Sequence, residues 1–181
     1  IYKLSATELS EAYEKKTLSP VEVTKSILDR VIKIDNKINA FVFIDEEQAI
    51  KQAKDSEERW KNNSPKSKID GVPTAIKDLL LTKGWPTLRG SKTVNKNIEW
   101  PDDAPVTARL KEAGTVLIGK TTTPEFGHKG TTQSPLTGIT RNPWNLDCTS
   151  GGSSGGSSSS VSSGMGPLAI GTDGGGSVRI P

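Results

Sequence analysis

The 181-residue chain has one cysteine, one histidine and one methionine. A lone cysteine, Cys148, excludes an internal disulfide, in keeping with a reducing, cytoplasmic setting. With His128 as its only histidine and no H-E-x-x-H motif, the chain is short of ligands for metal hydrolysis. No metal or other cofactor is expected. Aromatics are only 5% and apolar residues 32%, thin for a self-contained core. No apolar run approaches the roughly 18 residues of a membrane span. The net charge is +3, with the charges interspersed and no basic block. Nucleic-acid and membrane-surface binding therefore have no support.

What is present is punctuated clearly. Ser5-Ala6-Thr7-Glu8 is a capping box, with Leu4, Leu9 and Tyr13 at helical spacing behind it. Ser19-Pro20-Val21-Glu22 is a second box with proline at the first helical position. Val21, Val23, Ile27, Leu28, Val31 and Ile32 form its apolar stripe, which predicts a helix from 20 to about 34. Strands are expected at 39–44, 72–77, 115–120 and 167–170. Helices are expected at 46–62 and 104–113, the latter capped by Asp102 or Asp103 and ended by Gly114. Helix followed by strand predicts an α/β fold: a mixed, largely parallel sheet flanked by helices.

Two stretches carry candidate chemistry. Lys77 closes the short apolar strand Val72-Pro73-Thr74-Ala75-Ile76 and precedes Asp78. It reads either as a lysine reaching the surface or pairing with Asp78, or as a buried base. The second stretch runs from Gly151 to Ser177. From Ser150 to Gly164 only Val161 is neither Ser nor Gly, the composition of a flexible linker. Against a linker stand the clustered glycines of Gly151-Gly152-Ser153-Ser154-Gly155-Gly156. So does the apolar run Pro167-Leu168-Ala169-Ile170, which leads into Gly171-Thr172-Asp173-Gly174-Gly175-Gly176-Ser177-Val178-Arg179. A glycine turn ending in serine exposes a hydroxyl beside bare backbone N–H groups.

These two glycine segments, with Gly71-Val72-Pro73-Thr74-Ala75-Ile76-Lys77-Asp78 upstream, resemble the amidase signature family of serine hydrolases. The resemblance covers nearly the whole chain but only the N-terminal part of a typical member. Residues 1–181 are thus expected to be the N-terminal portion of one longer domain. The resemblance implies a Ser-Ser-Lys triad: Ser177 as nucleophile, Ser153 as bridging serine after a cis Gly152–Ser153 bond, Lys77 as base. It implies an oxyanion hole from the N–H groups of Gly174, Gly175, Gly176 and Ser177. Ser154, Thr172, Asp173 and Arg179 would hold the two glycine loops in register. The implied activity is hydrolysis of a linear carboxamide C–N bond through an acyl-enzyme, with a small amide as the partner molecule. Oligomeric state is open, a homodimer included.

Three rivals are weighed by residues. A Ser-His-Asp set could draw on His128, Asp147 and Ser154, but a nucleophile elbow needs the acid and then the histidine after the serine, and no histidine follows. The amidotransferase subunits that serve aminoacyl-tRNA resemble the same family. They carry Asp-Thr-Gly-Gly-Ser and a Gln after the arginine, where this chain has Gly174 and Ile180, so the sequence favours a free-standing amidase. A non-enzymatic binding relative is disfavoured because Lys77, Ser153 and Ser177 are all present.

Overall fold

Both capping boxes form. Ser5 N–H donates to Glu8 Oε2 (2.7 Å) while Glu8 N–H donates to Ser5 Oγ (3.3 Å), opening α1 (Ala6–Glu14). Ser19 and Glu22 repeat the exchange at 2.9 and 3.1 Å, opening α2 (Pro20–Ile38). Each exchange satisfies donors that a helix start leaves orphaned. Left-handed Asn39 (φ 58°) ends α2 beyond the expected stop, and its amide donates to the carbonyls of Thr137 (2.7 Å) and Ile139 (3.0 Å).

The structure, a computed structural model, describes residues 1–181. After α2 come β1 (Phe41–Ile44), α3 (Glu46–Lys61), β2 (Pro73–Lys77), α4 (Pro105–Ala113) and β3 (Val116–Thr121). A 3-10 turn at Glu125–Gly127 follows, then two hairpins, β4 (Gln133–Ser134) with β5 (Gly138–Ile139) and β6 (Arg141–Asn142) with β7 (Asn145–Thr149). α5 (Gly155–Ser162) and β8 (Leu168–Ile170) complete the order. The main sheet runs β1-β3-β2-β8, with β2 parallel to both neighbours and β1 antiparallel to β3. This is the mixed, largely parallel α/β architecture expected.

Alternation along the central strand sorts two cores. Ala75 joins Val23, Ile27, Val31, Ala49 and Met165 on one face. Ile76 joins Trp85 and Leu117 on the other, with Leu110 of α4 against them. Lys77 continues the first face, and Lys120, in register with Ile76, the second.

α5 explains why a Gly/Ser run is a helix. Gly155 and Gly156 have no room for a side chain: a Cβ on Gly156 would stand 2.4 Å from Thr122 N and 2.7 Å from Ala40 O. The buried serines are satisfied by hydroxyl bonds, Ser157 Oγ donating to Ile170 O (3.0 Å) and Ser159 Oγ to Arg141 O (3.0 Å). Ser158 and Ser160 donate back to carbonyls of their own helix (3.0 and 2.8 Å).

Some local expectations give way. Ile32 is exposed (71%), off the buried face of the longer α2. α4 is capped by neither Asp102 nor Asp103: its N-cap is Ala104, and Asp103 instead accepts Lys83 N–H (2.7 Å) and pairs with Lys111 (2.7 Å). The 140–145 loop is part of the β6–β7 hairpin. Cys148 is exposed. No helix is long and apolar enough to cross a membrane.

Candidate active site

β2 delivers Lys77 into the interior, with no exposed surface. Its ammonium donates to Ser153 Oγ (2.6 Å), Thr172 Oγ1 (2.8 Å) and Ser154 Oγ (2.9 Å), all hydroxyls. Asp78, the neighbour in sequence, pairs instead with Lys120 (3.8 Å). No carboxylate lies within ion-pair distance of Lys77. Burial pushes the Lys77 pKa down to about 8, opposed by the negative charge of Asp173.

Ser153 follows a cis Gly152–Ser153 peptide bond just before α5. Gly152 touches the neighbouring loop so closely that a Cβ would stand 2.8 Å from Thr131 N. Ser154 ties the two glycine segments together. Its hydroxyl donates to Thr172 O (3.1 Å) and accepts from Thr172 N–H (3.2 Å), while its N–H donates to Ser177 O (3.1 Å). Gly171 allows this approach, since a Cβ there would stand 2.9 Å from Ser154 Oγ. The Ser154 proton is therefore committed to a carbonyl. The Ser153 hydroxyl makes no other bond, so its own proton has no acceptor within the chain.

After β8 the chain turns about Asp173. Its carboxylate accepts Gly176 N–H (2.6 Å) and Val178 N–H (3.0 Å), and both oxygens bind the Arg179 guanidinium at 3.0 Å. Arg179, then these two N–H groups, hold Asp173 well below the usual carboxylate range. Gly176 departs from its expected place in the oxyanion hole, because its N–H already serves Asp173. The N–H groups of Gly174, Gly175 and Ser177 have no acceptor within the chain. A Cβ on Gly174 or Gly175 would meet nothing within 4 Å, so space beside them is open.

Lys77, Ser153, Ser154 and Thr172 are thus joined side chain to side chain. Ser177 is brought alongside through its backbone bond to Ser154. It is half-buried and its hydroxyl forms no hydrogen bond. The rival Ser154–His128–Asp147 set is not assembled, as neither His128 nor Asp147 bonds to Ser154 through its side chain. No group of three or more His, Cys, Asp or Glu could hold a metal ion.

Sequence reasoning passed over Lys120. It is fully buried, and its ammonium donates to Leu80 O (2.5 Å) and Thr87 Oγ1 (2.9 Å) beside Asp78. The signal was available: Thr115-Val116-Leu117-Ile118-Gly119-Lys120 is, like 72–77, a short apolar strand closed by lysine.

The A-type subunit of glutamyl-tRNA(Gln) amidotransferase from Protochlamydia amoebophila (strain UWE25) is 42% identical over 181 residues, 100% of this chain and 37% of that protein. Its namesake from Thermobifida fusca (strain YX) is also 42% identical, over 100% of this chain and 36% of its own length. The chain spans little more than a third of these relatives. Among solved structures, a bacterial aryl acylamidase of the amidase signature enzymes superposes with a TM-score of 0.93 at 37% identity, covering 98% of this chain and 37% of the other. The family profile described as Amidase matches residues 22–181, and this chain belongs to that family, the amidase signature enzymes.

Proposed function

We propose that this chain carries the reacting groups of a carboxamide hydrolase, with Ser177 as nucleophile, Ser153 as proton bridge and Lys77 as base. The observation that carries the reading is the buried Lys77 ammonium, 2.6 Å from Ser153 Oγ and held only by neutral hydroxyls. A lysine so placed loses its proton nearer neutrality than a free one, and a serine hydroxyl needs such a base. Ser154 is a poor bridge because its proton is already given to Thr172 O.

The steps are these. Neutral Lys77 takes the Ser153 proton as Ser153 takes the Ser177 proton. Ser177 Oγ attacks the amide carbonyl, and the oxyanion is met by the free N–H groups of Gly174, Gly175 and Ser177. One such donor is worth about 2.7–4 kcal/mol in the transition state. The tetrahedral adduct collapses, the C–N bond breaks, and the relay returns the proton to the leaving nitrogen. Water then attacks the acyl-enzyme by the same relay, releasing the acid.

The names of the curated relatives favour an aminoacyl-tRNA amidotransferase subunit, for which the family resemblance implies glutamine as the amide and ammonia passed onward. That reverses the preference drawn from the sequence. A free-standing amidase is the second reading, favoured by Gly174 and Ile180 and by the likeness to an aryl acylamidase.

Fluorophosphonate treatment of the full-length protein, followed by peptide mapping, tests the chemistry. An adduct on Ser177 that disappears in Lys77→Ala and Ser153→Ala is expected. A folded protein without an adduct, or with one on Ser154, overturns the assignment. Glutaminase activity, measured with and without partner subunits and against simple carboxamides, separates the two substrates.

A further inference from the structure

We propose that Asp78 and Lys120 are positioning residues for the relay: their buried pair fixes the 88–91 turn, which seats the Glu125–Gly127 turn against Ser153. This rests on the Ser177–Ser153–Lys77 reading above.

The bonds form a continuous path. Lys120 anchors the start of the loop through Leu80 O (2.5 Å) and its middle through Thr87 Oγ1 (2.9 Å). Asp78 holds the far end, accepting Leu88 N–H (3.2 Å) on one oxygen and Gly90 N–H (3.4 Å) on the other. The two charges face each other at 3.8 Å with almost no solvent access. Thus one ion pair sets both limbs of the loop that leaves β2 directly after Lys77.

The loop then grips the next wall twice. Phe126 N–H donates to Arg89 O (2.8 Å), and Ser91 Oγ donates to Glu125 Oε1 (2.7 Å). Arg89 (φ 56°) and Phe126 (φ 50°) are both left-handed, a conformation that persists where surroundings enforce it. Gly90 fits against Thr123 O so tightly that a Cβ would stand 2.4 Å away. Gly127 completes the path: a Cβ there would lie 2.7 Å from Leu79 Cδ1 and 3.4 Å from Ser153 Oγ. The turn is the wall beside the bridging hydroxyl. A buried pair of this kind is weak evidence of a stabilising role, since apolar replacements are often neutral or stabilising. Placement of the wall gives the pair a role.

The test compares fluorophosphonate labelling of Ser177 in the full-length wild type, Asp78→Asn, Lys120→Met and Ser91→Ala, each checked for cooperative melting. Ser91→Ala cuts the side-chain one of the two links to the Glu125–Gly127 turn and leaves the ion pair intact, so it keeps the proposal testable if either core variant fails to fold. Misplacing a reacting group by about 1 Å can slow chemistry as much as 100-fold, so a drop of about tenfold in the saturating labelling rate is expected. The reagent concentration giving half that rate should stay unchanged, and loss of folded protein alone would change the amount labelled, not the rate. Folded Asp78→Asn, Lys120→Met or Ser91→Ala labelling at the wild-type rate overturns the proposal. A wild type that does not label at Ser177 overturns the relay reading itself, and this proposal with it, so the two failures are distinct.

Discussion

Lys77 and Lys120 lie at the C-terminal ends of neighbouring parallel strands, one register step apart, and point to opposite faces of one sheet, and of the two only Lys120 has a carboxylate within 4 Å. Burial draws both pKa values down to about 8. The difference lies in their partners. Asp78 favours the Lys120 cation, whereas Lys77 faces hydroxyls that accept from an ammonium and can equally donate to an amine. Two lysines of similar burial are thereby suited to different tasks, one a fixed charge and one a base.

The first prediction concerns pH. The proposed base, Lys77, can act only when neutral, so acylation of Ser177 should rise with pH and level off above about 8. Below that value the rate should fall about tenfold per pH unit. A pH series of labelling rates checks this; a flat profile between pH 6 and 9 would sink the lysine base. The lowered folded pKa also means that the unfolded chain binds more protons between about 8 and the ordinary 10.5, so this group's contribution makes stability rise with pH there.

Asp173→Asn should move that profile to lower pH. The Asp173 charge favours the Lys77 ammonium, and removing it makes the amine easier to form. The same change weakens the turn at Gly176 and Val178, so the plateau should fall while the midpoint shifts. A midpoint that rises would contradict the electrostatic argument.

Ser153→Ala and Ser154→Ala should separate cleanly. Loss of a proton-transferring group costs about 10²–10⁴-fold in rate, expected for Ser153→Ala with little change in melting. Ser154→Ala removes the partner of Thr172 N–H and Thr172 O, and should destabilise by about 1–3 kcal/mol. Urea midpoints alongside labelling rates distinguish the two.

Gly156→Ala should damage folding rather than chemistry. The added Cβ meets backbone atoms of Thr122 and Ala40, which cannot rotate away. Overpacking of this kind costs about 1–3 kcal/mol, readable as a lowered melting temperature.

Much of this was legible in the sequence wherever the signal is local. Ser5 and Ser19 announce their helices because a capping box is complete within four residues. Short apolar runs gave the strands, and the family resemblance pointed to Lys77 and Ser153, which the fold brings within 2.6 Å of each other. What was not legible depends on distant partners. Asp103 looks like a cap until Lys83 and Lys111 claim it. Gly176 looks like an oxyanion donor until Asp173 folds back on it. The β4–β5 hairpin is tied down by Asn39, about a hundred residues upstream, and nothing in its own short strands signals it. Lys120 was passed over because its carboxylate partner, Asp78, sits just past the end of another strand.

The acceptors of Lys77 lie 76, 77 and 95 residues further along the chain. The proposed base therefore does not exist as a chemical entity in any local piece of the polypeptide. A nascent or partly unfolded chain holds only an ordinary protonated lysine and ordinary serines. If the proposed relay holds, reactivity toward amides requires the tertiary structure that brings these groups together.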